Sequence, residues 1–406
     1  MESRSEKAVP QQVGNLVDHA QPSGSSALSH SMEFRIEKAA FLQGLYFAQG
    51  IADRKATMPI LANVLLRTEG ADSLLVAATD LNLTVTSEIP CEVTGDGGLT
   101  VAARHLHDII KSLPGDRLTL RRADNNYAEI SAGKVNYKVV GLPDRDFPKL
   151  PNHREVKLHK VDAAPLRDLI SKTFFSISTD ETRAHLNGVL FECDGAGDKA
   201  VGRMVSTDGH RLSKCERPLP GGPKLMPGVL IPRRGLVEIR RALEGVSHVE
   251  MGVHAGNLFV RTGATVLTVR LTDAQFPPYD QVIPRDHQRQ AKVSHTALLD
   301  SLKRISLVAS EKTYGLRLSL SKGSLRIESD NPDLGQGREE LDVVYGSADF
   351  TIGFNAKYLI DLLTEIDTPE VLLDLNGELD PGVLRPAGSQ DTAGNQYLGV
   401  IMPMRL

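Results

Sequence analysis

Ser206–Glu216 reads STDGHRLSKCE and holds the densest set of reactive side chains in the sequence. Asp208, His210 and Arg211 are residue types of a hydrolytic or phosphoryl-transfer centre, with Ser206 or Cys215 on hand as nucleophiles. Such a centre needs a nucleophile or metal ligands converging on one point. No G-x-S-x-G, H-E-x-x-H or P-loop pattern occurs in the chain. GDGG at Gly95–Gly98 suits a hairpin turn better than a phosphate cradle. Of the 12 histidines only His105 and His107 approach ligand spacing, and residues two apart face different sides of a helix. The reactive residues therefore point away from an enzyme, and imply neither metal nor cofactor. A hydrolase centred on TDGHR is the weakest alternative.

The elements that would position these residues follow from the whole chain. Its 406 residues make two or three domains. A hydrophobic share of 41% and a charged share of 24% are those of a folded globular protein, which excludes global disorder. No stretch approaches 18 uncharged apolar residues, so no membrane helix is expected. The start lacks the basic region and apolar run of a secretory signal. Cys91, Cys193 and Cys215 are too scattered for a disulfide framework or metal cage, and a reducing cytoplasm suits them. The net charge of −4 excludes a protein that grips nucleic acid over its whole surface, so any DNA contact belongs to one face. The absence of Trp and 5% aromatics argue against a base-stacking platform for single strands.

Residues 1–31 are rich in Ser, Gln, Pro and Gly with almost no large apolar side chains. A segment of that kind cannot bury enough surface to offset its ordering entropy, so a disordered extension is expected, or a true start at Met32. An internal repeat organises the remainder. LTVAARHLHDIIKSL from Leu99, VLIPRRGLVEIRRAL from Val229 and FTIGFNAKYLIDLL from Phe350 share one grammar of apolar strand followed by helix. Leu106, Ile109, Ile110 and Leu113 form a helical stripe; Leu236, Ile239 and Leu243 form another, and Leu359, Leu362, Leu363 and Ile366 a third. A second series lies between them: Phe41, Leu42 and Leu45; Leu166, Leu169 and Ile170; Leu298, Leu302 and Ile305. Period-two strands follow each helix, as in Leu316, Leu318 and Leu320. Proline-rich links at Asp146–Pro151 and Gln275–Pro284 close the first two blocks. The chain reads as α+β, with six strand–helix–strands units paired into domains at 32–152, 153–285 and 286–406.

Six helices with apolar stripes can cover one side of a continuous sheet, leaving their polar faces on a common surface. That surface carries Lys38, Arg104, Lys111, Arg167, Lys172, Arg233, Arg234, Arg240, Arg241, Lys303, Arg304 and Lys357, with Asp108, Glu238 and Asp300 interspersed. It is biased toward positive charge.

Four segments then carry a family likeness: YLGVIMPMRL at the C-terminus, STDGHRLSKCE, HLNGVLFE at His185–Glu192, and FPPYDQVIP in the second link. Together with the opening MEFRIEKAAFLQGL, they make residues Met32 to Leu406 resemble the bacterial sliding clamp, the β subunit of DNA polymerase III. The resemblance implies a non-catalytic processivity factor. In that family a head-to-tail homodimeric ring has helices lining the inside and sheets outside, and it encircles duplex DNA without regard to sequence. It tethers the polymerase III catalytic subunit, the clamp loader, other DNA polymerases and repair proteins that carry clamp-binding peptides. A cytoplasmic protein acting at replication forks is implied. A closed ring can hold DNA through weak phosphate contacts and still slide, and an acidic exterior around a basic bore keeps DNA off the wrong face. A protein-interaction scaffold without DNA is the second alternative.

By the same resemblance, partner peptides enter a groove between the second and third domains. Its matching positions are Leu186, Thr207, Gly209, His210, Arg211, Leu212, Pro277, Val282, Leu379, Pro381, Val400, Met402, Pro403, Met404, Arg405 and Leu406. Leu, Val and Pro supply an apolar slot, and Met adapts it to varied peptides. Arg211 and the terminal carboxylate are expected as polar anchors at the rim, and Gln281 stands where a family member carries Arg. The DNA contacts implied are Lys55, Arg183, Arg233 and Arg234, while Ala184 and His185 replace a pair of tyrosines. The subunit interface implied sets Lys134, Tyr137 and Val139 of the first domain against Leu307, Val308, Glu339 and Glu340 of the third.

Overall fold

A computed structural model describes residues 31–52, 58–195, 197–388 and 394–405. Lys55, Leu406 and the composition-biased segment 1–30 lie outside the described residues. Among the described residues six α-helices run in chain order: α1 (Lys38–Ile51), α2 (Ala103–Ser112), α3 (Ala163–Phe174), α4 (Arg233–Ala242), α5 (His295–Ile305) and α6 (Ala356–Thr364). Each starts three residues before the first residue of its apolar stripe. Ser294 caps α5 by accepting from the Ala297 amide, and Asn355 caps α6 by accepting from Lys357 and Tyr358. Lys111, Lys172, Arg240, Arg241, Lys303 and Arg304 sit in last turns, where cations suit the helix dipole.

Every expected stripe is buried except Leu42, which is half-buried, and all six helices rest on one contiguous core with the strands beneath them. Among the described residues the opposite sheet face carries two small clusters, to which no α-helix contributes. The helices therefore share one side of the sheets. They pack pairwise, α1 on α2, α3 on α4 and α5 on α6.

Each helix is preceded by one strand and followed by three, giving six units, with one short extra strand at Glu92–Gly95. The last strand of a unit makes the junctions. Leu83–Pro90 pairs antiparallel with Thr265–Arg270, with Val85 opposite Leu267. Arg211–Pro218 pairs with Gln396–Ile401, with Leu212 opposite Val400. These pairings fuse neighbouring domains into one sheet of 13 strands and one of 12. The last strands Val135–Leu142 and Gly335–Val344 are the exception. Each has a full neighbour on one side, but on the other only two residues pair: Gly141 and Leu142 in the first, Val343 and Val344 in the second. Two long edges stay open.

One expectation needs correcting. Lys172, expected on the solvent-facing surface, is buried, with Nζ 3.4 Å from both Asp168 and Asp367 and donating to the Glu365 carbonyl. The third domain closes over the C-terminal end of α3, so the helix loses its solvent side there. Glu238 is buried likewise, against Arg241 at 3.0 Å.

Candidate functional site

The TDGHR segment is a turn, and its hydrogen bonds decide its chemistry. Asp208 Oδ1 accepts from the amides of His210 and Arg211, and the Thr207 hydroxyl accepts from the Gly209 amide while donating to the Arg211 carbonyl. Gly209 has φ +93°, a conformation glycine adopts without strain. Ser206 is buried and donates to the Thr173 carbonyl. Burial pushes the Cys215 thiol up to about 12, so no thiolate forms. The carboxylate is occupied and both nucleophiles face inward, so the segment positions a surface and performs no hydrolysis.

That surface is apolar beneath and open above. Leu212 and Val400, opposite each other across the junction, are buried with Val205, Leu230, Phe276, Tyr279 and Val383. Leu186 is also buried. Above this floor Val282, Leu379 and Met402 stand 42, 63 and 39% exposed, a high share for large apolar side chains. Thr207, Pro277, Pro381, Pro403 and Met404 are half-buried around them, while Gly209, His210 and Arg405 are exposed. The C-terminal segment is tied down by Met402 donating to the His210 carbonyl and Met404 to the Gly353 carbonyl. His210 stacks on Tyr358, with centroids 6.4 Å apart.

Arg211 corrects the expectation of a free rim anchor. Its side chain is only 10% exposed, and its donors go to Asp208, Asp361 and the Phe175 carbonyl. The expected second anchor, the terminal carboxylate, belongs to Leu406. Sequence reasoning missed Phe276 and Tyr279, which anchor the link to the floor. The Tyr279 hydroxyl donates to Glu192 at 2.9 Å, and Arg203 holds Glu192 at 3.1 Å and Glu216 at 2.6 Å. Gln281 closes the single turn Tyr279–Gln281 and is exposed.

The helix face is the second feature. The six helices contain twelve Lys and Arg against five Asp and Glu, a net of +7 in a chain whose total is −4. Charge is thus segregated by element. Arg233 lies over the Phe174 ring, and Arg234 pairs with Asp80 of the first domain at 2.7 Å. Arg183 lies beside the turn, its Nη1 donating to the Asp208 carbonyl at 2.9 Å.

The open edges are the third. Tyr137 is 38% exposed and Lys134 is exposed, whereas the Val139 side chain is buried in the core, so only its backbone faces the edge. Leu307 is 79% exposed, and Val308 packs beside Gly337 of the other edge strand. Glu339 is engaged within the chain by Arg304, and Glu340 accepts from the Ser324 hydroxyl at 2.6 Å.

Family models described as the N-terminal, central and C-terminal domains of the DNA polymerase III beta subunit match residues 32–151, 160–278 and 280–405. The chain is 34% identical over 379 residues to the beta sliding clamp of Pseudomonas putida, covering 92% of this chain and 100% of that one. To the beta sliding clamp of Caulobacter vibrioides it is 35% identical, with the same coverage. A crystal structure of the DNA polymerase sliding clamp from Caulobacter crescentus superposes with a TM-score of 0.85 at 33% identity, covering 93% of this chain and 100% of that one. A sliding clamp from Bartonella birtlesii bound to griselimycin superposes with a TM-score of 0.83 at 31% identity, covering 92% and 100%. With all three domain models matched in order, the chain belongs to the DNA polymerase III beta subunit family, the sliding clamps.

Proposed function

We propose that two copies of this chain close head to tail into a ring around duplex DNA, and that the ring tethers replication proteins to the strand it encircles. One observation carries the reading. Of six last strands, four pair in two junctions within the chain, and Val135–Leu142 and Gly335–Val344 are left over. A third junction of the same kind needs one of each, which a second copy supplies. Pairing unlike edges is heterologous and closes into a ring when the rotation allows, and closure removes the aggregation hazard of bare edges. Lys134, Tyr137, Leu307, Val308 and Glu340 would meet there.

The three bodies in this reading are 32–152, 153–285 and 286–406. The cationic helix face would line the hole and touch phosphates without reading sequence. The groove over Leu212 and Val400 would take apolar anchors of peptides from the polymerase III catalytic subunit, the clamp loader, other polymerases and repair proteins. Binding many partners in turn suits a slot walled by Met and Pro. The site of action would be cytoplasmic, at the replication fork.

The test is topological. The protein is placed by its loader on a nicked circular plasmid, which is then either linearised or left intact before gel filtration. Retention on circles and loss from linear DNA is the expected result. Equal loss from both would overturn the reading and favour a scaffold that does not enclose DNA.

A further inference from the structure

The cations of the helix face are not equivalent. In the central domain α3 and α4 supply six of the twelve, and three of these are neutralised by carboxylates: Lys172 by Asp168, Arg234 by Asp80 and Arg241 by Glu238. Arg167 is anchored elsewhere, donating to the Leu243 and Val246 carbonyls at the end of α4. Arg233 and Arg240 remain, and neither forms an ion pair within 4 Å of a carboxylate among the described residues, although Glu365 feels the charge of Arg240 from farther off. Both lie over one ring. The Phe174 centroid is 4.7 Å from the Arg233 guanidinium carbon and 5.5 Å from that of Arg240.

The arrangement follows from the helices. Arg233 opens α4 and Arg240 lies seven residues on, about two turns along the same face, a rise of about 10 Å. Phe174 ends α3 and is half-buried, its ring packed on the core below. With guanidinium carbons 4.7 and 5.5 Å from one centroid, the two charges stand at most about 10 Å apart, within about three base steps of one DNA strand at about 3.4 Å each, so they can meet neighbouring phosphates. A guanidinium resting on an aromatic face keeps its edge donors outward and surrenders less side-chain entropy on binding.

From this geometry we propose that Phe174 is a plate presenting Arg233 and Arg240 as a two-phosphate clamp, the strongest backbone contact on the helix face. The partner is duplex DNA of any sequence, and the proposal rests on the reading of the helix face as the DNA-lining surface. Phe174 is a positioning residue; the two arginines make the contact. In the first and third domains the carboxylate-free cations are mostly lysines, such as Lys111 and Lys357, which bind phosphate as flexible point charges.

The experiment is equilibrium binding of the full-length protein to a fluorescent duplex of about 20 base pairs across a KCl series. Log K falls against log salt with a slope of about −0.9 for each phosphate neutralised. Arg233→Ala and Arg240→Ala should each flatten the slope by about 0.9 and weaken binding at low salt. Phe174→Leu keeps both charges, so it should leave the slope unchanged while lowering affinity about three- to fivefold. A fold defect alone would not split slope from affinity in that way. An unchanged slope in both arginine variants would overturn the proposal, as would wild-type affinity in Phe174→Leu. So would affinity losses in Lys111→Ala or Lys357→Ala equal to those of the arginine variants. A wild-type slope near zero would instead sink the reading of the helix face as DNA-lining, and the clamp with it.

Discussion

Arg211 Nη1 lies 2.6 Å from Asp361 Oδ2, and this pair ties the last strand of the second domain's first unit to α6 of the third. The same guanidinium donates to Asp208 at 3.1 Å and to the Phe175 carbonyl at 2.7 Å, and sits 4.5 Å over the Tyr358 ring. Its donors are therefore occupied within the chain. The groove floor of Leu212 and Val400 depends on the two domains keeping their register, and Arg211 is the polar clasp beside that register.

Breaking the clasp should cost stability. Both side chains are less than a third exposed, and losing Asp361 removes a charge-assisted hydrogen bond worth about 1.5–3 kcal/mol, while Asp208 still compensates part of the Arg211 charge. Asp361→Ala should lower the unfolding free energy of the coupled second and third domains, read from urea curves, by that amount. A shift below about 0.5 kcal/mol would show that water replaces the carboxylate without penalty.

Acid should loosen the link that walls the groove. Burial acts to raise the Glu216 pKa, but the Arg203 hydrogen bond and nearby Lys214 outweigh it and hold the carboxyl below its ordinary 4.5. A depressed folded-state pKa gives stability that is present above the unfolded value and lost as pH falls through the folded one. Wild-type stability should thus drop below about pH 4.5, and Glu216→Gln should flatten that acid limb. Parallel pH curves for the two proteins would rule Glu216 out as a contributor.

The groove itself can be tested with a fluorescent peptide that carries apolar anchors, the kind of ligand proposed for it. Val282 and Leu379 expose apolar surface at its rim. Val282→Glu with Leu379→Ala should weaken peptide binding more than tenfold in a fluorescence titration, since the first puts a charge where an apolar anchor would dock and the second removes contact area. Unaltered affinity would place the ligand elsewhere on the chain.

The period of apolar residues made all six helices legible, because every stripe buries on one shared core. The same periodicity could not tell that Lys172 is capped by another domain, since its partners Glu365 and Asp367 lie more than 190 residues away. The Arg211–Asp361 clasp spans 150 residues and escaped for the same reason. Phe276 and Tyr279 lay in a proline-rich link, where no alternation marks which side chains turn inward. The groove positions came through the TDGHR and MPMRL motifs, which carry the family likeness. What those motifs could not convey is that their arginine points into the junction.

Leu307 should hold the second copy. It is 79% exposed next to an unpaired edge, while Val308 beside it already packs on Gly337. Leu307→Asp therefore leaves the monomer core untouched and puts a charge into the expected interface. Sedimentation equilibrium should give a monomer with unchanged far-ultraviolet circular dichroism. A dimer as tight as wild type would remove Leu307 from the contact.

The TDGHR turn has a twin that the sequence hides. Leu81 donates to the Thr79 hydroxyl at 3.0 Å, and Asp80 Oδ1 accepts from Asn82 at 2.9 Å and Leu83 at 2.6 Å. Thr207, Asp208, Gly209, His210 and Arg211 repeat that pattern bond for bond at the other junction. Gly209 is a glycine at φ +93°, but its counterpart Leu81 holds φ +77° with a Cβ. The left-handed conformation costs such a residue about 1–2 kcal/mol. Leu81 is also 53% exposed, so it returns little of that through burial. Leu81→Gly should relieve the strain, and after the extra freedom gained by the unfolded chain is subtracted, a net stabilisation of about 0.5–1 kcal/mol should appear in urea unfolding. Gly209→Ala should go the other way, because the added Cβ meets Arg183 Nη2 at 2.9 Å and adopts the same unfavourable φ. If Leu81→Gly instead destabilises the protein, the leucine must be gaining contact energy at that junction that outweighs its backbone strain.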